Sequence, residues 1–263
     1  MIYDCFTLNN ELDLLEVRLN TLNEVVDKFV IVESDMTFSG HPKTPYYSIS
    51  QHRFSQWRDK IIHVLVKDMP QETANRWDRE FYQRNAISRG LVGVHPLDLI
   101  IVSDVDEIPK PEAIRWARVL DAPTAISMKT YYYNLESVSD QFLIGPCCMR
   151  PHHNLSPQQL RDRRWEWERY NEGAWHFSFF PVLDWSPVES VQMKIRSFAH
   201  GEFDNETYLD AKRLEKVIAG TVDPFERSEF PMHREPVNPS LPPYILSNLE
   251  KYNKWLPAPL PRS

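Results

Sequence analysis

Glycine is scarce in this chain: there are 7 in 263 residues, and nowhere do they fall as G-x-G-x-x-G or G-x-x-x-x-G-K-[ST]. A nucleotide bound here is therefore not held by the backbone amides of a glycine-rich loop, and its phosphates need a metal ion or Arg and Lys side chains. Cysteine is scarce too. Cys5 and the adjacent pair Cys147 and Cys148 are too few and too badly spaced for a disulfide framework or a zinc site, so they read as small core residues in a reducing compartment. No apolar run approaches the ~20 residues of a membrane span, and Met1 leads straight into Ile2 to Phe6, which looks like a first strand and not a signal peptide. The expectation is a soluble chain with no membrane span, cytoplasmic as it stands or a Golgi-lumenal piece of a longer precursor. A basic excess is missing as well. With 30 Lys and Arg against 37 Asp and Glu the net charge is -7, which gives no support to nucleic-acid binding through a concentrated basic face.

What is present is enough apolar content, 42%, for one large core. Ile2 to Phe6, Phe29 to Val32, Ile61 to Val66 and Leu99 to Val102 read as buried strands. Between them, Leu12, Leu15, Leu19 and Leu22 recur at helical spacing, with Arg18 placed favourably late in the helix. Thr73 to Leu91 reads as a longer helix. This alternation predicts an α/β fold with a largely parallel, doubly wound sheet and a cleft on its carboxyl edge. Further on, Ala125 to Met128, Phe142 to Met149 and the A-W-H-F-S-F-F run read as strands. Ser186-Pro187-Val188-Glu189 has the form of a capping box opening a helix to Phe198. Tyr208 to Ile218 and Tyr244 to Trp255 read as helices, and Pro257 to Pro261 as a tail. The division expected is a main domain over 1–220 and a Pro-rich wrap over 221–263 belonging to the same globule.

The stretch with the clearest chemistry is L-D-L-I-I-V-S-D-V-D-E-I-P, Leu97 to Pro109. A continuously apolar, β-branched strand ends abruptly in Asp104, Asp106 and Glu107. Side chains at i and i+2 of an extended chain point the same way, so Asp104 and Asp106 can reach one hard divalent cation with Val105 turned inward behind them. Acids after a strand also serve as turn formers and helix caps, which is the competing structural reading.

Several ordered blocks carry more. I-Y-D-C-F-T-L-N-N-E-L-D-L-L-E-V-R-L-N from Ile2, D-K-F-V-I-V-E-S from Asp27, R-E-F-Y-Q-R-N from Arg79, V-S-D-V-D-E-I-P from Val102 and A-W-H-F-S from Ala174 together resemble glycosyltransferase family 17 over Ile2 to Phe203. The resemblance implies a GT-A-type fold, a nucleotide-sugar donor (UDP-N-acetylglucosamine in known members), a saccharide acceptor, a divalent metal, usually manganese, and inversion at the anomeric carbon. It puts Asp104 and Asp106 on the family's acidic metal motif and Trp175-His176 on its W-H block.

The remaining roles follow from what sugar transfer requires: charge relief on the departing diphosphate, a base for the acceptor hydroxyl, and a cleft that excludes water. His176 and His200 compete as a third metal ligand, against readings as a core histidine and a helix-end histidine. Glu189 and Glu202 are the candidate bases. Phe6 and Glu33, at the tips of the first two strands, stand where a uracil would lie. Arg84 and Asn85 could hold the donor's phosphate or ribose, and Asp104 the ribose. Trp165, Trp167 and Trp175 could stack on a sugar face or simply be core. Two rivals come from other classes: a haloacid-dehalogenase-like phosphatase with Asp104 as nucleophile, whose pattern wants Thr or Val where Ile108 stands, and a non-catalytic carbohydrate-binding protein.

Overall fold

The apolar runs at the start of the chain form strands β1 (Ile2–Thr7), β2 (Lys28–Ser34), β3 (Ile61–Val66) and β4 (Leu99–Asp104), separated by helices α1 (Leu12–Leu22), α2 (Tyr46–Ser50) and α3 (Arg76–Asn85). In the computed structural model, which describes residues 1–257, these four strands run parallel in the order β3-β2-β1-β4. The three inner strands β1, β2 and β4 are buried on both faces, as continuous Val and Ile runs require, while β3 at the sheet edge is half-buried: Phe29, Ile31 and Ile101 pack on one side with α1, and Val30, Val32 and Val102 on the other.

Beyond β4 the sheet becomes mixed. The chain continues through β5 (Glu107–Pro109), α4 (Pro111–Val119), β6 (Thr124–Tyr132), β7 (Ser137–Ser139), β8 (Leu143–Met149), α5 (Pro157–Asp162) and β9 (Glu168–Ser178). Strand β8 pairs antiparallel with β4 and β6, while β9 lies parallel to β6 and antiparallel to β5. Helices α6 (Pro187–Ser197), α7 (Glu206–Leu209) and α8 (Ala211–Gly220) follow, then edge strand β10 (Met232–Arg234) and α9 (Pro243–Leu246). The result is an α/β fold on one ten-stranded sheet.

Three helices differ from the sequence reading, the one expected over Tyr208 to Ile218 being broken at the extended Asp210 between α7 and α8. The run Thr73 to Leu91 is helical only from Arg76, where Asn75 and Asp78 form a reciprocal capping box, to Asn85, and it continues as a 3-10 turn over Ala86–Gly90. Tyr244 to Trp255 is not one helix. Only α9 and a 3-10 turn at Asn253–Trp255 form, because Trp255 is drawn fully into the core, donating its indole N–H to the Pro181 carbonyl and stacking on Tyr252 at 4.5 Å. There the C-terminal segment packs with Leu14, Val17, Trp175 and Phe177, so helix α1 is covered on two sides. The tail beyond Pro257 lies outside the described residues.

Candidate active site

The strand order changes direction between β1 and β4, with β2 and β3 added outward on one side of β1 and β4 on the other. Loops leaving such a switch point part from each other and leave a crevice beyond the carboxyl ends. Here it is a cleft of about 340 Å³. Its floor is made by Thr7 and Asp104, which are register partners at the last positions of β1 and β4.

Asp104 and Asp106 both face this cleft, and Val105 between them is buried against α1. Asp104 Oδ1 accepts the Thr7 hydroxyl at 3.0 Å and Arg84 Nη2 at 3.2 Å, while its Oδ2 has only Arg161 at 3.4 Å. Asp106 Oδ2 accepts Lys194 Nζ at 2.7 Å, with His176 Nε2 at 3.7 Å; its Oδ1 has no hydrogen-bond partner among the described residues. Glu107, the third acid, is committed. It takes both Arg161 Nη atoms, at 2.7 and 2.9 Å, and the Asp104 backbone N–H at 3.0 Å. Behind the acids, Arg18 donates to the carbonyls of Asp104, Val105 and Glu107 at 2.9, 3.3 and 2.8 Å, fixing the path of the turn that presents them.

These partners set the charge. Burial pushes the Asp104 carboxyl up, but Arg84 and Arg161 outweigh it and hold it at about 2. Asp106 is likewise raised by burial and then carried far below the usual range by Lys194 and His176. Glu80, four residues before Arg84 on α3, goes the other way. Burial raises it, the Asp104 charge adds to the rise, and the Arg84 contact at 2.7 Å only partly offsets them. On the floor Glu80, Asp104, Asp106 and Glu107 face Arg84, Arg161 and Lys194, and Glu11, Lys43 and Arg227 line the walls, so acids and bases alternate around the cleft.

Of the residues singled out from the sequence, Asp104, Asp106, Glu107, Arg84, His176 and His200 line the cleft. Strand pairing places His176, opposite Glu107 across β5 and β9. The two histidines do not complete a three-residue cage with the aspartates. His200 Nδ1 is taken by Glu202 at 2.8 Å and its ring stands edge-on to Trp77, while His176 Nδ1 is buried without a partner. Among the described residues, the one trio of ligand atoms within 4.8 Å is Asp121, His152 and His153, at an exposed site where Arg150 already sits 3.4 Å from Asp121.

Five of the residues expected at the site do not line the cleft. Phe6 is core, its ring covered by the Arg18 guanidinium at 4.3 Å. Glu33 is fully buried and consumed: it accepts the Tyr47 and Ser48 N–H groups at the start of α2 and His63 Nε2 at 2.8 Å. Asn85 faces solvent and accepts the Gln158 N–H at 3.1 Å. Glu189 is exposed, and its carboxylate closes the capping box on Ser186. Glu202 is exposed; its carboxylate meets His200 and its carbonyl accepts Asn205 Nδ2. Among the tryptophans, Trp165 is exposed, Trp167 half-buried and Trp175 core, and none lines the cleft, whose aromatic residues include Trp77, Phe198, Phe225 and Phe230 instead.

Sequence reading missed Arg18, Glu80, Arg161 and Lys194. Only Arg18 left a signal. Apolar residues occupy Leu12, Leu14, Leu15, Val17, Leu19 and Leu22, more than one helix face, so α1 is enclosed and a lone arginine within it must be paired.

The profile of glycosyltransferase family 17 matches residues 1–263. The β-1,4-mannosyl-glycoprotein 4-β-N-acetylglucosaminyltransferase of Homo sapiens is 25% identical over all of this chain and 56% of its own length. That of Rattus norvegicus is 24% identical over 98% of this chain and 55% of its own. The chain thus spans about half the length of the curated relatives it matches. Among solved structures, the inositol-1-phosphate CTP transferase of T. maritima aligns with a TM-score of 0.36 and 13% identity, covering 82% of this chain and 95% of its own. HddC from Yersinia pseudotuberculosis aligns at 0.34 and 9%, covering 69% and 91%. The profile match over the whole length, and not the distant structural likeness, decides the matter: this chain belongs to glycosyltransferase family 17.

Proposed function

We propose that the chain is a metal-dependent, inverting glycosyltransferase of GT-A type that moves N-acetylglucosamine from UDP-N-acetylglucosamine to a saccharide hydroxyl. The observation that carries the reading is the pair Asp104 and Asp106, opening on one cleft at the switch point of the sheet. The donor set suits a hard divalent cation. Asp104 Oδ2 has a single long contact, from Arg161 at 3.4 Å, Asp106 Oδ1 has no hydrogen bond among the described residues, and ions such as Mg²⁺ are commonly held by one or two carboxylates with substrate phosphates and water completing the shell. A histidine ligand is not needed for that arrangement. When bound, the ion would polarise the phosphate oxygens of the leaving group as a Lewis acid.

The chain's own groups supply the rest. Arg84 and Arg161 fix Asp104, and the aromatic wall of Trp77, Phe198, Phe225 and Phe230 offers flat apolar faces suited to the C–H face of a sugar acceptor. With Glu189 and Glu202 outside the cleft, Glu80 is the carboxylate best tuned to take the acceptor's proton. It lines the cleft, its carboxyl is raised, and one oxygen alone is engaged by Arg84. A single displacement by the hydroxyl inverts the anomeric carbon.

The test is thermal protection by UDP-N-acetylglucosamine with manganese present or chelated. Protection that needs the ion, and that Asp104→Asn abolishes without unfolding the protein, is expected. Equal protection in chelator would overturn the metal-dependent reading.

A further inference from the structure

The three cations on the cleft floor are not equivalent. Arg161 is spoken for by both Glu107 oxygens and the Gly145 carbonyl. Arg84 is divided among Glu80, Gln158 and Asp104. Among the described residues Lys194 makes one hydrogen bond, to Asp106 Oδ2 at 2.7 Å, from an ammonium that carries three donors. It stands in the last turn of α6, its Nζ lies over the Phe179 ring at 5.2 Å, and its side chain is 30% exposed, toward the cleft it lines. Of these three it is the cation free to change partner. A second positive charge brought to Asp106 would repel this ammonium, while a diphosphate in the cleft would offer it oxygens.

We propose that Lys194 is a catalytic residue of the glycosyl transfer put forward above, on which this inference rests. With the nucleotide-sugar bound, its ammonium passes from Asp106 to a β-phosphate oxygen. The acceptor oxygen then forms its bond to the anomeric carbon as the bond from that carbon to the β-phosphate oxygen breaks. The electron pair leaves on the phosphate, and the hydroxyl proton goes to Glu80. Lys194 keeps its three protons and hydrogen-bonds the phosphate as its charge grows. In the empty cleft the same ammonium is the resident counter-ion of Asp106 and competes with the metal for it.

This double role has two consequences of opposite sign. In Lys194→Met, with UDP fixed, the manganese concentration giving half-maximal thermal protection should fall several-fold, because Asp106 loses its competitor. Transfer kcat should fall by ~100-fold, the scale for losing one preorganised donor to a developing anion, with donor KM little changed. Lys194→Arg, which keeps the ion pair, should recover part of the turnover and restore the manganese requirement, and this guards against a simple folding defect. Turnover within a few fold of wild type in Lys194→Met, or a raised manganese requirement, would overturn the role of Lys194 alone. Absence of metal-dependent UDP protection in the wild-type protein would overturn the proposed function and this inference with it.

Discussion

Arg18 and Asp4 form a bidentate pair with no exposure to solvent, Nε and Nη2 meeting the two carboxylate oxygens at 2.7 and 2.6 Å. The arginine's remaining donor capacity goes to the Ser103 hydroxyl and the carbonyls of the acidic turn. One side chain thus ties α1, β1 and the end of β4 into a rigid base for Asp104 and Asp106. Removing one member of such a pair leaves a buried charge without compensation, which costs about 3–5 kcal/mol. Arg18→Met should therefore lower the denaturation midpoint by that equivalent. The double variant Arg18→Met with Asp4→Leu should recover part of the stability but not donor binding, because the carbonyls of the turn stay untethered. Chemical denaturation together with UDP-sugar protection separates the two effects.

Gly145 is the second support. A Cβ built there would overlap the Met128 sulfur and come within 3.0 Å of the Glu107 carboxyl carbon, and the Gly145 carbonyl receives an Arg161 N–H. Gly145→Ala should cost about 1–3 kcal/mol as overpacking. By shifting Glu107 and Arg161 it should also weaken metal-dependent nucleotide protection more than an equally destabilising change elsewhere, such as Leu214→Val in the α8 cluster.

Much of this was legible in the chain, and the boundary of legibility is physical. The parallel strands announced themselves because burial on both faces demands unbroken apolar runs, and the acid tip of β4 because carboxylates after such a run need a reason. Local signals named the α6 cap at Ser186 and Glu189 correctly, then misled when Glu189 was considered as a base, since the same carboxylate cannot easily do both. What could not be seen were pairings across long sequence separation. Arg161 reaches Glu107 over 54 residues and Lys194 reaches Asp106 over 88, and no periodicity encodes either contact. Glu33 shows the converse. A polar residue at a strand tip looks available in sequence, yet here it caps a helix and bonds His63 in the core.

Two carboxylates should divide the pH dependence. Asp104 lies at about 2 in the folded protein, below the ordinary value of about 3.9. The unfolded chain therefore takes up the proton first, so the stability this group contributes is present above the ordinary value and is lost as pH falls through about 2. Melting curves of wild type and Asp104→Asn should converge over that interval. Glu80 is raised, so the acid limb of turnover should lie above the ordinary glutamate value and belong to Glu80. Glu80→Gln, whose amide oxygen still accepts Arg84 Nη2, should keep UDP protection and lose kcat by ~100-fold. A variant that keeps its turnover would remove Glu80 as the base.

Lys43, on the loop after β2, lines the same cleft and donates to Asn9 Oδ1 at 2.9 Å. Burial lowers its pKa to about 8, with Glu11, Glu33 and Asp35 only partly offsetting it. Here the folded value is below the unfolded one for a base, so the folded state gives up the proton first. Holding the charged form is a cost to folding below about pH 8, and that cost disappears as pH rises from there to the ordinary lysine value of about 10.4. Lys43→Met should accordingly melt higher than wild type at pH 7, with the advantage fading across that interval. The same substitution removes a cation from the cleft proposed to take the donor, so nucleotide affinity should fall at pH 7, and wild-type affinity should weaken as pH rises past about 8. Stability gained and binding lost by one change is what a strained functional group predicts. If Lys43→Met left nucleotide affinity untouched, the lysine would be a structural tether to Asn9 and nothing more.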